Sequence, residues 1–407
     1  MINPSANGWI DKYFAEQKTA FDYHAVDSLS LYLNIRKTGF IYGHIISINN
    51  TRGANEQSGA NSQINIENWK TEEISKIALL NTLFDIYLFT TNKFDSADFI
   101  KKTVAFYKEM TPKGFDFLDK IMSSSSSTKL ENIINERVQT NKDIISKNFS
   151  HIVTNALLFV DVLAFRHYLL EGKIPDKYLK RIEETIMSLV SLALQIKTVK
   201  SQHDDLLIKL FEASVRYTKF SKISVQNIEA LPLDYFTDEL EKYYLLDLTG
   251  LTLWSDNVLE NEEIYFLYKL AESMKVSDSF IDVSVVSTNE FISTHKSKIQ
   301  YFNYSNPVKH FYDQTTNGVV LLINRNKKRL TKEISESKEL MQLLAKSTNK
   351  DLSKEEKKKV KKQLLDICKS VPSLTIFLLP GGALLLPILI KFIPQLLPSA
   401  FNENLED

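Results

Sequence analysis

Few side chains in this 407-residue chain have the type and spacing that enzyme chemistry requires. The seven histidines are scattered and form no HExxH or other metal-ligand spacing. The sequence contains no glycine-rich phosphate loop, no GxSxG nucleophile motif and no CxxC pair. Its single cysteine, Cys368, excludes an internal disulfide and a cysteine-based zinc site. We therefore expect a protein that is not an enzyme, without catalytic residues and without an organic cofactor.

One acidic cluster has a spacing that bears on metal binding. Asp256 and Glu263 lie seven residues apart, with Glu260 and Glu262 between them. The simplest interpretation places the glutamates in the first turn of a helix, where the macrodipole favours anions. The cluster also resembles the acidic turn of tellurite-resistance B-like (TerB-like) helical domains, although Asn257 replaces the usual glycine. That resemblance implies a divalent cation, calcium rather than magnesium, held by oxygen atoms of Asp256, Glu260 and Glu263.

The elements that position these residues are predicted to be helices. Apolar residues recur at helical spacing in Ile74–Thr90, Tyr178–Ile196 and Leu206–Phe220. The chain has only 11 glycines and 10 prolines, too few for the many turns of a sandwich or barrel. Two short runs, Phe40–Ile48 and Ile281–Val286, are strand-like but do not suffice for a sheet. The predicted fold is mainly α: a multi-helical cytoplasmic body with a C-terminal proline-rich membrane segment.

Polar stretches and turns punctuate this helical body. Asn49–Gln63 and the five serines at 123–127 are predicted to be exposed linkers, with a helical pattern beginning at Leu130. A weak repeat of helix end, tight turn and new helix is centred on Asn92, Gly172 and Asp256. These residue types permit the left-handed backbone conformation at the turn. A general likeness between helical hairpins explains the repeat equally well.

The apolar run His151–Leu170 competes as a membrane span. Asp161, Arg166 and His167 interrupt it, and a charge in mid-span costs a few kcal/mol. We therefore predict a buried core helix here.

The strongest membrane signal lies near the C-terminus. No charged side chain occurs in the 21 residues from Ser370 to Ile390, which as a helix would span about 30 Å. Prolines recur every seven residues on one face, and a glycine pair offers a break, so a re-entrant helical hairpin rivals a full crossing. The lysine of this segment could extend to the membrane interface. The residues on which this interpretation depends are Val371, Pro372, Pro380, Gly381, Gly382, Pro387, Lys391, Pro394 and Pro398.

Charge is distributed unevenly along the chain. Basic and acidic residues number 50 each, but residues 321–370 hold 15 Lys or Arg against 7 Asp or Glu. Residues 1–320 hold 34 basic and 40 acidic side chains. Ser353 and Glu356 form a predicted capping box, so a helix should begin at Lys354, with Val360, Leu364, Ile367 and Cys368 on one face. Its basic residues are Lys354, Lys357, Lys358, Lys359, Lys361 and Lys362.

These lysines allow two interpretations. The first is a solvated helix face. The second is attraction to anionic lipid headgroups, since each juxtamembrane lysine contributes about 1 kcal/mol. The lysine-rich flank and the acidic tail also favour a cytoplasmic body under the positive-inside rule. The N-terminus has neither the basic nor the apolar region of a signal peptide, so we expect an inner-membrane protein with most of the chain in the cytoplasm.

Residues 371–401 resemble the signature of the leucine-zipper/EF-hand-containing transmembrane (Letm) family of mitochondrial inner-membrane proteins. The resemblance rests on the proline register, on a basic residue where Lys391 stands, and on a closing LPSxF matched by Leu397–Phe401. The basic run Leu352–Lys359 is similar to the segment that precedes the family's span. Bacterial proteins with a long helical body and this ending are similar to Letm-related biofilm-associated proteins.

Two departures from the family pattern limit what the resemblance implies. Ala383 stands where animal members hold an acidic residue, so cation/proton exchange would lack its most plausible intramembrane carboxylate. The family also continues after LPSxF into a soluble domain that binds ribosomes. Because the sequence ends six residues after Phe401, we expect that domain to be absent or reduced to its membrane-proximal start.

The sequence thus predicts four regions and two candidate functions. The regions are a helical N-terminal body at 1–230, a TerB-like region at 231–300, a basic helical stalk at 301–370 and a Letm-like membrane segment at 371–401. The first function is a non-enzymatic membrane-anchored protein whose body and stalk bind a ribosome or an envelope-associated complex. The alternative is a cation/proton exchanger or ion-homeostasis factor that acts as a homo-oligomer. The expected partners include the lipid bilayer but not DNA.

Overall fold

The computed structural model describes residues 2–16, 26–48, 64–110, 125–138, 157–197, 227–254, 261–295, 327–349 and 352–370. These residues form α-helices and three short 3₁₀-helices, and they contain no strand. The mainly helical fold class is therefore confirmed. The helices are α1 (Trp9–Glu16), α2 (Ser28–Lys37), α3 (Thr71–Thr91), α4 (Ser96–Met110), α5 (Ser126–Arg137), α6 (Leu158–Glu171), α7 (Tyr178–Ile196), α8 (Glu239–Leu253), α9 (Asn261–Met274), α10 (Asp278–His295), α11 (Lys327–Glu336), α12 (Lys338–Asn349) and α13 (Lys354–Ser370). The 3₁₀-helices are Phe40–Tyr42, Ile228–Ala230 and Leu233–Tyr235.

The chain divides into two compact units. The first contains Met1–Ile66 and Thr71–Tyr304, and therefore α1 to α10. The second contains Glu67–Lys70 and Ser305–Asp407, and therefore α11 to α13. The finer boundaries predicted at residues 230, 300 and 370 stay predictions.

The core of the first unit is built around α3 and α6, which pack against each other. Nearly every residue of α3 from Ser75 to Leu88 is buried, so this helix is enclosed on all sides. Aromatic rings fill the space beside it: the Phe84 and Phe99 centroids lie 4.9 Å apart, and the Phe99 and Phe165 centroids 6.2 Å apart. Such edge-on and tilted ring contacts add to the free energy gained from burial.

Helix α6 confirms the prediction of a buried core helix within the run His151–Leu170; residues 151–156 lie outside the described residues. Its interrupting charge Asp161 is only 2 % exposed. The Asp161 carboxylate accepts hydrogen bonds from Arg137 Nε at 2.7 Å and from Tyr107 Oη at 3.1 Å. A buried carboxylate with a bidentate arginine and a tyrosine is satisfied, as burial of a charge requires.

The two other polar residues that interrupt this apolar run, Arg166 and His167, connect α6 to the start of α8. Arg166 pairs with Asp238, and His167 Nε2 lies 2.7 Å from Glu241 Oε1. Burial of the ring disfavours the charged imidazolium, but the hydrogen bond and charge of Glu241 outweigh this. The pKa of His167 is therefore raised above its usual value. The α6–α8 contact is held by ionic groups rather than by apolar packing alone.

A buried carboxylate also joins α2, α8 and α10. Asp247 in α8 is fully buried and accepts a hydrogen bond from Tyr32 Oη of α2 at 2.8 Å. Arg36 Nη1, also in α2, lies 3.4 Å from both carboxylate oxygens, and Ser284 Oγ of α10 donates to the same group. Burial raises the pKa of the Asp247 carboxyl, although these partners favour its charged form. The three helices therefore share one polar contact inside an apolar core.

Two of the three predicted tight turns have the expected backbone. Asn92, between α3 and α4, has φ +50°, and Gly172, between α6 and α7, has φ +76°. Phe94 follows the first turn and packs its ring back on Phe84 at a centroid distance of 5.7 Å. The third turn, at Asp256, lies outside the described residues.

The two strand-like runs predicted from the sequence need correction. In the strand-like run Phe40–Ile48, the first three residues form a 3₁₀-helix, because Gly39 and Gly43 on either side have φ +79° and +68°. A Cβ at residue 39 would lie 2.0 Å from the His44 carbonyl oxygen, so only glycine fits there. The run Ile281–Val286 lies within α10.

The serine run is not wholly a linker. Ser125 caps α5 by accepting a hydrogen bond from the Thr128 N–H at 3.2 Å, so the helix begins at Ser126 rather than Leu130. The predicted linker Asn49–Gln63 lies outside the described residues.

The described part of the second unit forms three helices around a small apolar core. Helix α12 packs against both α11 and α13. Each helix is amphipathic and turns its apolar side inward, as the helical periodicity of a surface helix requires. The buried side chains are Leu330, Ile334, Leu340, Leu344, Leu352, Val360, Leu364 and Ile367. The predicted apolar face of α13 is thereby confirmed for Val360, Leu364 and Ile367.

The predicted capping box of α13 is confirmed. Ser353 Oγ accepts a hydrogen bond from the Glu356 N–H at 3.2 Å, and Glu356 Oε2 accepts one from the Ser353 N–H at 2.8 Å. The helix begins at Lys354, as expected. Two backbone N–H groups that would otherwise lack a partner are satisfied in this way.

No helix within the described ranges is both long enough and apolar enough to cross a membrane. The predicted membrane segment, with Val371, Pro372, Pro380, Gly381, Gly382, Pro387, Lys391, Pro394 and Pro398, lies outside those ranges.

We predict that Asp247→Ala lowers the free energy of unfolding of the first unit by about 3–5 kcal/mol, because it leaves Arg36 buried without its countercharge. Urea denaturation followed by tryptophan fluorescence measures this change. Asp282→Ala is the matched control, since Asp282 also accepts a tyrosine hydroxyl, from Tyr268 at 2.6 Å, but is exposed. The control substitution should change the free energy of unfolding by no more than about 0.5 kcal/mol. Equal losses in both variants would contradict this account.

We further predict that Ser353→Ala weakens the first turn of α13 by about 1 kcal/mol, since the Glu356 N–H loses its cap. Amide hydrogen exchange at Glu356 should then accelerate about fivefold. Ser335→Ala serves as control, because Ser335 Oγ donates to the Lys332 carbonyl within α11 and caps no N–H group. An unchanged exchange rate at Glu356 would show that the capping box does not stabilise this helix.

Candidate functional site

Helix α13 presents a group of lysines that extends from one edge of its apolar face to the opposite side of the helix. Val360 and Leu364 point into the core of the second unit, and successive residues of a helix are rotated by about 100°. This rotation places Lys357, Lys358, Lys361 and Lys362 towards solvent, and all four are exposed. We call these four residues the α13 lysine surface.

Three other lysines of the second unit are engaged by carboxylates, whereas Lys332 and Lys338 are exposed and belong to no ion pair among the described residues. Glu339 of α12 binds Lys359 Nζ at 2.9 Å and also accepts a hydrogen bond from Gln363 Nε2 at 2.8 Å. Glu356 of α13 binds Lys346 Nζ of α12 at 2.6 Å. The Lys359 hydrogen bond lowers the pKa of Glu339 below its usual value. These pairs fasten α13 to α12 around the apolar core.

A third pair lies near the C-terminal end of α13. Lys369 Nζ binds Asp366 Oδ1 at 2.6 Å, within one helical turn. None of the ion pairs found among the described residues involves the α13 lysine surface. Only the exposed acids Glu355 and Asp366 border it on the same helix. Most of the positive charge of this surface is therefore not compensated by ion pairs among the described residues.

Like charges stand close together on the α13 lysine surface. Lys357 and Lys361, and likewise Lys358 and Lys362, are four residues apart, while Lys358 and Lys361 are three apart. Each such pair destabilises a helix by about 0.2–0.5 kcal/mol at low salt. No ion pair among the described residues includes these lysines, and only Asp366, which Lys369 binds, also attracts one of them, Lys362. Binding of an anionic partner would relieve the repulsion.

The structure refines the predicted basic stalk. Five of its six lysines have described side chains, and one of them, Lys359, belongs to an interhelical pair rather than to the free surface. Lys354 begins the helix, and its side chain lies outside what the structure describes, as does that of Cys368. Sequence reasoning missed the acidic partner Glu339, because it lies 20 residues before Lys359 and only the pairing of α12 with α13 brings them together.

The predicted cation site is described at one of its three residues. Glu263 lies in the first turn of α9 and is 2 % exposed, whereas Asp256 and Glu260 lie outside the described residues. Within the described ranges no group of three His, Cys, Asp or Glu side chains could hold a metal ion. The placement of Glu262 and Glu263 agrees with the simpler interpretation of an acidic helix start. The divalent cation stays a prediction.

A cleft of about 700 Å³ lies in the first unit between the end of α7 and the start of α9. Tyr265 at its edge is 69 % exposed, and the Lys269 ammonium beside it pairs with Glu229 at 2.5 Å. The charged residues among those that line it are Glu262 and Lys269. No nucleophile and base converge there among the described residues, so the cleft offers no basis for assigning a reaction. The lining residues are Leu192, Gln195, Ile196, Asn227, Ile228, Asn261, Glu262, Tyr265, Phe266 and Lys269.

Comparison with known proteins bears on the second unit. Residues 352–407 match the family model described as LETM1-like, RBD, in which RBD denotes a ribosome-binding domain. The match begins at Leu352, one residue before the Ser353 cap, and so includes the whole α13 lysine surface. No curated protein and no solved structure matches the chain. The C-terminal segment of this chain is therefore Letm-like, as its basic run and proline register predict.

Proposed function

We propose that this protein is a non-enzymatic, membrane-anchored Letm-like protein that binds the ribosome through its C-terminal segment. The observation that carries the proposal is the match of residues 352–407 to a ribosome-binding domain family. Ribosome binding is a property of that family, and it extends to this chain as an inference.

The charges of the second unit support this partner. Ribosomes expose phosphate groups, and the α13 lysine surface offers four ammonium groups that are not used in ion pairs among the described residues. The rest of the chain is less suited to a polyanion, because residues 1–320 carry 40 acidic against 34 basic side chains. We therefore expect the contact to be made by the second unit.

Anchoring at the membrane rests on sequence. The uncharged run Ser370–Ile390 directly follows α13, and its length suits a bilayer. The lysine-rich side of the run should face the cytoplasm, where ribosomes are found. An envelope-associated complex is the other partner that fits a membrane-anchored basic segment. The exchange alternative is less well supported, because the run lacks a carboxylate.

The full chain, purified in a neutral detergent, should co-sediment with ribosomes isolated from the host cell. A chain ending at Tyr304, which keeps the first unit, should remain in the supernatant because it lacks residues 305–407. Sedimentation through a sucrose cushion at several salt concentrations measures how much of each chain binds to the ribosomes. Equal co-sedimentation of the shortened chain would contradict the proposal, and binding to a solubilised envelope complex alone would favour the other partner.

Carbonate extraction of cell membranes tests the anchor separately. The full chain should stay in the membrane pellet because insertion of an apolar segment resists the loss of electrostatic contacts at high pH. The chain ending at Tyr304 should appear in the supernatant. Release of the full chain by carbonate would show that residues 370–390 do not insert.

A further inference from the structure

We propose that the α13 lysine surface binds RNA through its phosphate groups and without reading base sequence. The inference rests on the proposed function, since ribosomal RNA would be the polyanion encountered. It adds the chemical nature of the contact and the four side chains that make it: Lys357, Lys358, Lys361 and Lys362.

The first argument is the division of lysines within the second unit. Lys346, Lys359 and Lys369 lie 2.6–2.9 Å from carboxylates, and their charge is used within the unit. The four lysines of the surface, like Lys332 and Lys338, are exposed and belong to no ion pair among the described residues. Unlike Lys332 and Lys338, the four cluster within two turns of one helix, so their fields add over a small area. This arrangement suits a partner with closely spaced negative charges.

The second argument is the chemistry of the surface. Lysine ammonium groups act as point charges that bind phosphate oxygens, whereas planar recognition of bases uses arginine, asparagine or glutamine. Helix α13 contains no arginine and no aromatic residue on which a base could stack. Its only amide, Gln363, is engaged by Glu339 and Ser337. The surface can therefore position an RNA backbone but has no group with which to read a base.

The third argument separates RNA from lipid headgroups. The lysine that directly precedes the apolar run, Lys369, forms an ion pair with Asp366. Lys362 lies eight residues before Ser370, about 12 Å along the helix, and Lys357 about 20 Å. A helix that meets the bilayer end-on would hold these charges beyond the Debye length of about 8 Å at physiological salt. In that orientation the charge of the α13 lysine surface is displaced from the membrane towards the cytoplasm.

The test compares two triple variants of the full chain in neutral detergent. One, Lys358→Gln/Lys361→Gln/Lys362→Gln, removes three charges from the surface. Its matched control, Lys346→Gln/Lys359→Gln/Lys369→Gln, removes three charges from ion pairs. Glutamine keeps the helix propensity of lysine, so both variants should keep the helical content measured by circular dichroism. The probes are an RNA duplex of about 16 base pairs and vesicles that contain phosphatidylglycerol.

The affinity for the duplex is measured against salt concentration. Each lost phosphate contact flattens the slope of log K against log salt by about 0.7–0.9, so the surface variant should lose about 2 in slope and the control less than 1. Duplexes of different sequence should bind equally. Equal slopes in the two variants would overturn the inference, because net charge alone would then explain binding. Loss of vesicle binding with retained RNA binding would overturn it in favour of lipid.

Ribosome co-sedimentation of the same proteins separates this inference from the proposed function. If the unaltered chain binds the duplex as expected but does not sediment with ribosomes, the proposed function fails and RNA binding stands. If the unaltered chain and the surface variant sediment equally at all salt concentrations, ribosome binding stands and the inference fails.

Discussion

The buried carboxylate of Asp247 is the constraint on which the arrangement of the first unit depends. A charge in an apolar core is tolerated only when its partners are in place, so α2 and α10 must supply Arg36, Tyr32 and Ser284 together. The contact bridges 211 residues of sequence between Arg36 and Asp247. This contact therefore favours one packing of these helices. Other packings could bury the same apolar area but would leave the carboxylate without partners.

The same rule applies where α6 meets its neighbours. Asp161 is matched by Arg137, and His167 by Glu241, at sites where an unpaired ionic group would be costly. The ion pairs described in the second unit all lie at its surface. There, exposed pairs such as Lys359 with Glu339 align α13 on α12, and individually they contribute little stability. Alignment has a consequence for function, because it fixes which lysines remain turned outward.

The two parts of the chain also differ in net charge. The first unit is rich in internal pairs and belongs to a region with a net negative charge, whereas the second concentrates positive charge just before an apolar run. An approaching polyanion is repelled by one region and attracted by the other. If the partner is a polyanion, as proposed, this difference in charge favours contact through the basic segment.

Much of this could be predicted from local sequence. Helical periodicity identified the fold class, and the capping box located the start of α13, because both depend on residues a few positions apart. The run Ile281–Val286 misled because Ser284, a polar residue, takes a buried position in α10 through its contact with Asp247. Its β-branched neighbours Val283 and Val286 are exposed, which reverses the usual relation between apolarity and burial. Partners such as Arg36 and Asp247, or Glu339 and Lys359, could not be predicted, since only the tertiary fold brings them together.

The most direct test of the central claim, that the α13 lysine surface contacts ribosomal RNA, is a photocrosslinking experiment on the intact chain in cells. A photoreactive amino acid replaces Lys358 in one variant and Glu339, an exposed residue of α12 that pairs with Lys359, in the other. Irradiation followed by recovery and sequencing of attached nucleic acid identifies what each position touches. The account predicts ribosomal RNA attached at position 358 and little or none at position 339. Attachment at position 358 to lipid alone, or equal RNA yields at both positions, would contradict it.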